Sequence, residues 1–112
     1  MLSFILNLLL YAQVSARLHP VEATVTCYTS EVSQTDASPF TTASGHRLKA
    51  GDKVVANNQA DFGSKVLVNG VVYQVEDRMN KKYDGSYFDI WFEDKNECLK
   101  FGRRKMTVYL IK

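Results

Sequence analysis

The sequence predicts a small, mainly β domain: a closed six-stranded barrel with one short helix. Three observations predict it. Short runs of β-branched and aromatic residues alternate with polar ones, which suits half-buried strands. An Asn-Gly pair joins two of these runs as a tight hairpin turn would. A single short segment carries helix punctuation at both ends. With 112 residues, 46% of them hydrophobic and 23% charged, the chain has the size and composition of one globular domain. Closure follows because it removes the exposed edges that short strands otherwise leave.

Met1–Ala16 contains no charged side chain. Leu2–Leu10 is apolar apart from Ser3 and Asn7, and Val14-Ser15-Ala16 offers a small-residue exit before Arg17. That is the pattern of an export leader, and it is shorter than the roughly 20 residues of a membrane-spanning helix. Residues 1–16 are therefore expected to be a signal peptide and the protein to be secreted or extracytoplasmic. The alternatives are an uncleaved anchor or an extra strand. Residues 17–22 read as a linker and residues 23–112 as the barrel domain.

Glu22–Tyr28 alternates as a first strand, and residues 29–46, rich in Ser, Thr, Asp and Gly with Pro39, read as a loop. Lys53–Ala56 is a short strand. Lys65–Val68 and Val71–Val75 flank Asn69-Gly70, which tolerates the positive φ angles of a type I′ turn. Tyr87–Phe92 and Met106–Ile111 are the last two strands. Between them Asp94 is placed to cap a helix, with Glu97 completing a capping box. Leu99 and Phe101 are its expected packing residues, and Gly102 its left-handed stop.

The charge balance, 14 Lys+Arg against 12 Asp+Glu, gives no reason to invoke nucleic acid. Residues 100–112 nevertheless hold Lys100, Arg103, Arg104, Lys105 and Lys112 without an acid. These cations are either solvated near the negative end of the helix dipole or in contact with an anionic polymer. Two cysteines and two histidines are too few and too scattered for a Cys/His zinc site. There is no phosphate-loop or dinucleotide glycine motif and no internal repeat. No metal and no cofactor is expected.

The chemistry concentrates on Tyr87–Phe92. Side chains alternate with period two, so Phe88, Ile90 and Phe92 share the core face while Tyr87, Asp89 and Trp91 share the other. A carboxylate flanked by two aromatics suits sugar recognition: rings pack on C–H faces while the acid reaches an oxygen. The plainer reading is an ordinary surface strand with amphipathic aromatics. Asp77, in phase with Tyr73 and Val75, is expected to lean inward at a strand end, either as a functional carboxyl or in an ion pair with Arg78 or Lys82. Glu76, of opposite phase, is expected in solvent.

Several short segments, in this order, resemble the 3D (three-aspartate) domain family. They are Thr26-Cys27-Tyr28-Thr29, Thr42-Ala43-Ser44-Gly45, Phe62-Gly63-Ser64-Lys65-Val66, Val75-Glu76-Asp77-Arg78, Phe88-Asp89-Ile90-Trp91-Phe92, Glu97–Arg104 and Val108-Tyr109-Leu110. The resemblance covers about residues 23–111. It implies a double-psi β-barrel related to A-type lytic transglycosylases, RlpA-like proteins and expansins. The sequence departs from the family at the first aspartate, where Val54-Val55-Ala56-Asn57-Asn58 offers alanine or asparagine. Asp77 and Asp89 match the other two.

The resemblance implies cleavage of a β-1,4 glycosidic bond in peptidoglycan, with Asp89 as general acid and then base and Asp77 supporting it. One carboxyl can serve twice if its pKa is lifted toward working pH. Tyr28 and Ser44 match positions lining the family's groove, and Tyr87 and Trp91 join them as substrate-binding candidates, although a strand Tyr is also an ordinary core residue. His46 is expected to be a plain loop residue, with a second acid/base role the alternative, and His19 to have no role. Cys27 and Cys98, where the family often has alanine, either pair as a disulfide in an exported domain or remain buried thiols. A monomer that binds peptidoglycan or a related polysaccharide is expected. The other readings are a glycan-binding module that does not cut, as the expansin likeness implies, and a structural part of a wall-active assembly.

Overall fold

A computed structural model describes residues 17–30 and 40–112. The leader expected at residues 1–16 lies outside them, as does part of the loop containing Pro39. The strands are β1 (Leu18–Tyr28), β2 (Val54–Ala56), β3 (Lys65–Val68), β4 (Val71–Asp77), β5 (Tyr87–Trp91) and β6 (Arg104–Ile111), with α1 (Lys95–Phe101) between the last two. They close into a barrel in the order β1-β5-β2-β4-β3-β6. The β1–β5 and β2–β4 pairs are parallel and the others antiparallel, an order compatible with a double-psi barrel.

Every strand sends at least one side chain into the core: Val25, Val55, Val66, Val75, Phe88 with Ile90, and Val108. Closure rests on that shared burial together with the continuous ladder. The β3–β4 hairpin turns at Asn69 and Gly70, with φ of 51° and 82°. Gly70 supplies at low cost a conformation that most side chains resist.

The starts of β1 and β6 differ from expectation, and β2, β4 and β5 differ by one or two residues at one end. Residues 18–22 are strand rather than linker, because Leu18–Val25 pairs antiparallel with Ile111–Arg104 and Pro20 is accommodated opposite Tyr109. His19 accordingly lies on β1, opposite Leu110. The same pairing starts β6 at Arg104, ahead of Met106.

Asp94 caps α1, its carboxylate accepting from Asn96 N at 2.8 Å. Glu97 lies 3.9 Å from Lys100 Nζ. Gly102, with φ of 66°, ends the helix and donates its N–H to Cys98 O. A disulfide joins Cys27 on β1 to Cys98 on α1. Phe101 meets Phe92 edge-on at 5.4 Å, and both pack on the barrel core. Leu99 does not pack as expected: it is 69% exposed, and no residue of this short helix is buried. No helix among the described residues is long and apolar enough to cross a membrane.

Phe88→Ala is expected to cost about 3–5 kcal/mol, whereas Leu99→Ala should cost less than about 0.5 kcal/mol. Urea denaturation of the two variants checks the contrast.

Candidate functional site

Three register pairs build the site. Thr26 on β1 is opposite Asp89 on β5, Asp89 is opposite Ala56 on β2, and Ala56 is opposite Asp77 on β4. The four residues form one row across adjacent strands, with the two acids on either side of an alanine. Two strand spacings put their Cα atoms about 9–10 Å apart. Simple alternation points Asp77 inward with Tyr73 and Val75, but the β2–β4 register shifts between Val55 and Ala56. That irregularity places Asp77, rather than Glu76, beside Ala56. Asp77 is half-buried at the end of β4.

Asp89 lies on the face opposite Phe88 and Ile90, each 1% exposed, and its own side chain is largely buried in the wall. Thr26 Oγ1 donates to Asp89 Oδ1 at 2.8 Å. Burial pushes the Asp89 pKa up to about 6; the Thr26 hydrogen bond opposes the rise and the Asp77 charge adds to it. No ion pair to Asp89 or Asp77 is found among the described residues. Arg78 instead donates to Asn57 O at 2.8 Å and lies 3.8 Å over the Phe62 ring, while Lys82 lies over Tyr83. The ion-pair alternative for Asp77 is thus replaced.

Asp77 is held by donors from three directions. Tyr28 Oη donates to Oδ2 at 2.8 Å, and Oδ1 accepts from Ala43 N at 2.9 Å and Arg78 N at 3.0 Å. Burial and the two carboxylates raise the Tyr28 pKa well above the ordinary phenol range, so its hydroxyl remains a proton donor. Tyr28 joins the ends of β1 and β4, which the β5–β2 pair separates in the barrel order.

The loop that supplies Ala43 is tightly formed. Thr42 N bonds His46 O, Thr41 bridges Arg47, and Ser44 N bonds Glu76 O. Ser44 Oγ donates to Glu76, which also accepts from Gln74 Nε2 at 2.7 Å. These bonds, Ser44's first, hold the Glu76 carboxyl below its ordinary range. Glu76 is therefore an anchor for the loop, not the freely solvated acid expected. His46 Nε2 lies 2.8 Å from Asp52 Oδ2, an interaction that lowers the Asp52 pKa and gives His46 a loop-bracing place.

Asn57, 1% exposed, explains why an amide occupies its position. Its Nδ2 donates to Gly85 O and Tyr87 O, and its Oδ1 accepts from Gln59 N and Ala60 N. A carboxylate has no protons for those two carbonyls. Ala56, not Asn57, stands between the acids.

The aromatic pair expected around Asp89 is only half present. Trp91 is 5% exposed, packed with Leu48, Val54 and Tyr28, and its Nε1 donates to Ser30 Oγ at 2.8 Å. Its ring therefore offers no stacking surface to a ligand. Tyr87 is half-buried, 4.9 Å from the Tyr83 ring. Thr26 is the site residue that strand reading passed over, because the parallel β1–β5 register is set by contacts distant in sequence. Among the described residues no three His, Cys, Asp or Glu side chains converge as a metal site. A cavity of about 700 Å³ lies elsewhere, between Val21, Asn57, Lys65, Asp84, Phe88 and Lys112, and Asp77 and Asp89 do not line it. No protein-family model and no curated protein sequence matches the chain.

Asn57→Asp is expected to cost about 2–4 kcal/mol, because Gly85 O and Tyr87 O lose their donors, as read by chemical denaturation. Asp89 binds its proton more tightly folded, near pH 6, than unfolded, near pH 4. Its contribution to stability should therefore fall as pH rises from about 4 to 6, by at most about 3 kcal/mol. Asp52 and Glu76, with lowered values, act oppositely, their contributions being lost as pH falls through the acidic range below that window. Stability–pH profiles of the wild type and Asp89→Asn should diverge between pH 4 and 6.

Proposed function

We propose that the protein is an extracytoplasmic enzyme of the lytic-transglycosylase type, belonging to the 3D-domain group of double-psi barrels and cleaving β-1,4 bonds in peptidoglycan glycan strands. The single observation that carries this reading is Asp89: a largely buried carboxyl, free of any cation partner among the described residues, with its pKa raised to about 6. Such a group keeps its proton at mildly acidic pH and can release it in a reaction, as a general acid must. The disulfide between Cys27 and Cys98 supports an oxidising compartment.

In the proposed reaction Asp89 gives its proton to the glycosidic oxygen as the bond to the anomeric carbon breaks. The positive charge that develops on the sugar is stabilised by the negative field of Asp77, whose carboxylate Tyr28, Ala43 and Arg78 hold in place. Asp89, now a carboxylate, takes the proton of the sugar's own C6 hydroxyl. That oxygen attacks the anomeric carbon and closes a 1,6-anhydro ring, leaving Asp89 protonated again. Ser44 acts through Glu76 on the loop rather than on the sugar. The non-cutting glycan-binding reading is weakened by the burial of Trp91, which removes one of its two platforms.

Asp89→Asn should fold and release no anhydromuropeptides from purified peptidoglycan, while the wild type releases them with activity that declines as pH rises through about 6. Equal product from the variant, measured by liquid chromatography with mass detection, contradicts the assignment.

A further inference from the structure

Beside the acid row runs a strip of a different character. Lys82 Nζ lies 5.2 Å from the centre of the Tyr83 ring, Tyr83 lies 4.9 Å from Tyr87, and the Arg103 guanidinium lies 6.0 Å from Tyr87. Register adds a fifth member, Lys105, because Tyr87 is opposite Thr24 and Thr24 is opposite Lys105. Lys82, Arg103 and Lys105 are exposed, and the two tyrosines are half-buried. Tyr87 precedes Asp89 by two residues on β5, so strip and acid share one face.

The neighbouring charges are already committed. Arg104 Nε donates to Phe101 O at 3.0 Å and its guanidinium covers the Phe101 ring, so it serves the end of α1. Lys100 lies near Glu97. Asp84, within the strip's loop, turns its carboxylate onto Ser86 N and Oγ. Arg103 and Lys105 have no carboxylate partner within ion-pair distance among the described residues. Two cations at one end, one at the other and two aromatic rings between them match a sugar polymer that bears anionic groups along its length.

We infer that the Lys82–Tyr83–Tyr87–Arg103–Lys105 strip is a substrate subsite that reads carboxylates carried on the glycan strand next to the bond over Asp89. This rests on the glycan-cleaving reading above and adds the substrate class: a carboxylate-bearing polysaccharide. Arg103 and Lys105 take the carboxylates, and the tyrosines take sugar C–H faces. Recognition of this kind weakens with salt.

The test is sedimentation with insoluble peptidoglycan, using the Asp89→Asn protein so that nothing is released. The wall samples are untreated, carboxyl-amidated, or stripped of phosphate polymers with hydrofluoric acid. Amidation, or the double change Arg103→Ala/Lys105→Ala, should weaken retention roughly fivefold or more. Arg103→Lys/Lys105→Arg should restore it, Lys112→Ala should leave it unchanged, and phosphate removal should have no effect. Retention insensitive to amidation or to the double change overturns the inference, as does retention lost only with phosphate. Wild-type protein that binds in this carboxylate-dependent way yet yields no anhydro products instead overturns the glycan-cleaving reading.

Discussion

Ionising a carboxyl group that has been taken out of water costs free energy, and Asp89 sits where the barrel imposes that cost. β5 is an interior strand of the closed wall, with β1 on one side and β2 on the other. Phe88 and Ile90 are locked into the core, so the strand cannot turn Asp89 further into solvent without unpacking both. The hydroxyl of Thr26 compensates in part, and no guanidinium or ammonium among the described residues does so. The raised pKa is therefore a property of the wall, and the proposed chemistry depends on it.

The elements around this row keep it in place. Asp77 would add a mobile charge if it were loose, but its three donors come from β1, from the 40–47 loop and from its own strand end. Asn57 closes the turn after β2 and fastens the carbonyls ahead of and within β5. Leu48 packs with Val54 and Trp91, so the last residue of β5 belongs to a second small core. The disulfide ties a helix with no buried residue to the end of β1 that carries Thr26 and Tyr28.

Much of this was legible locally. Asn69-Gly70 declares its hairpin, Asp94 and Gly102 bound the helix, and period-two alternation separates Phe88 and Ile90 from Asp89. What escaped reading depends on partners far along the chain. Trp91 has the phase of an outward residue and is buried because Leu48, from another loop, packs on it together with Val54 and Tyr28. Asp77 changes neighbours through an irregularity in pairing with β2, which leaves no mark in β4 itself. Residues 18–22 read as linker, yet β6 recruits them as strand. Thr26 meets Asp89 across a sequence separation of 63, a parallel pairing that no local pattern announces.

The most direct measurement is the titration of the Asp89 side-chain carboxyl by carbon-detected NMR on the folded protein. A midpoint near 6 is expected, moving further up when Thr26→Val removes a hydrogen bond that favours the ionised form. A midpoint at or below the ordinary aspartate value of about 4 would mean that the wall does not hold back ionisation, and an acid/base role for this residue would lose its physical basis.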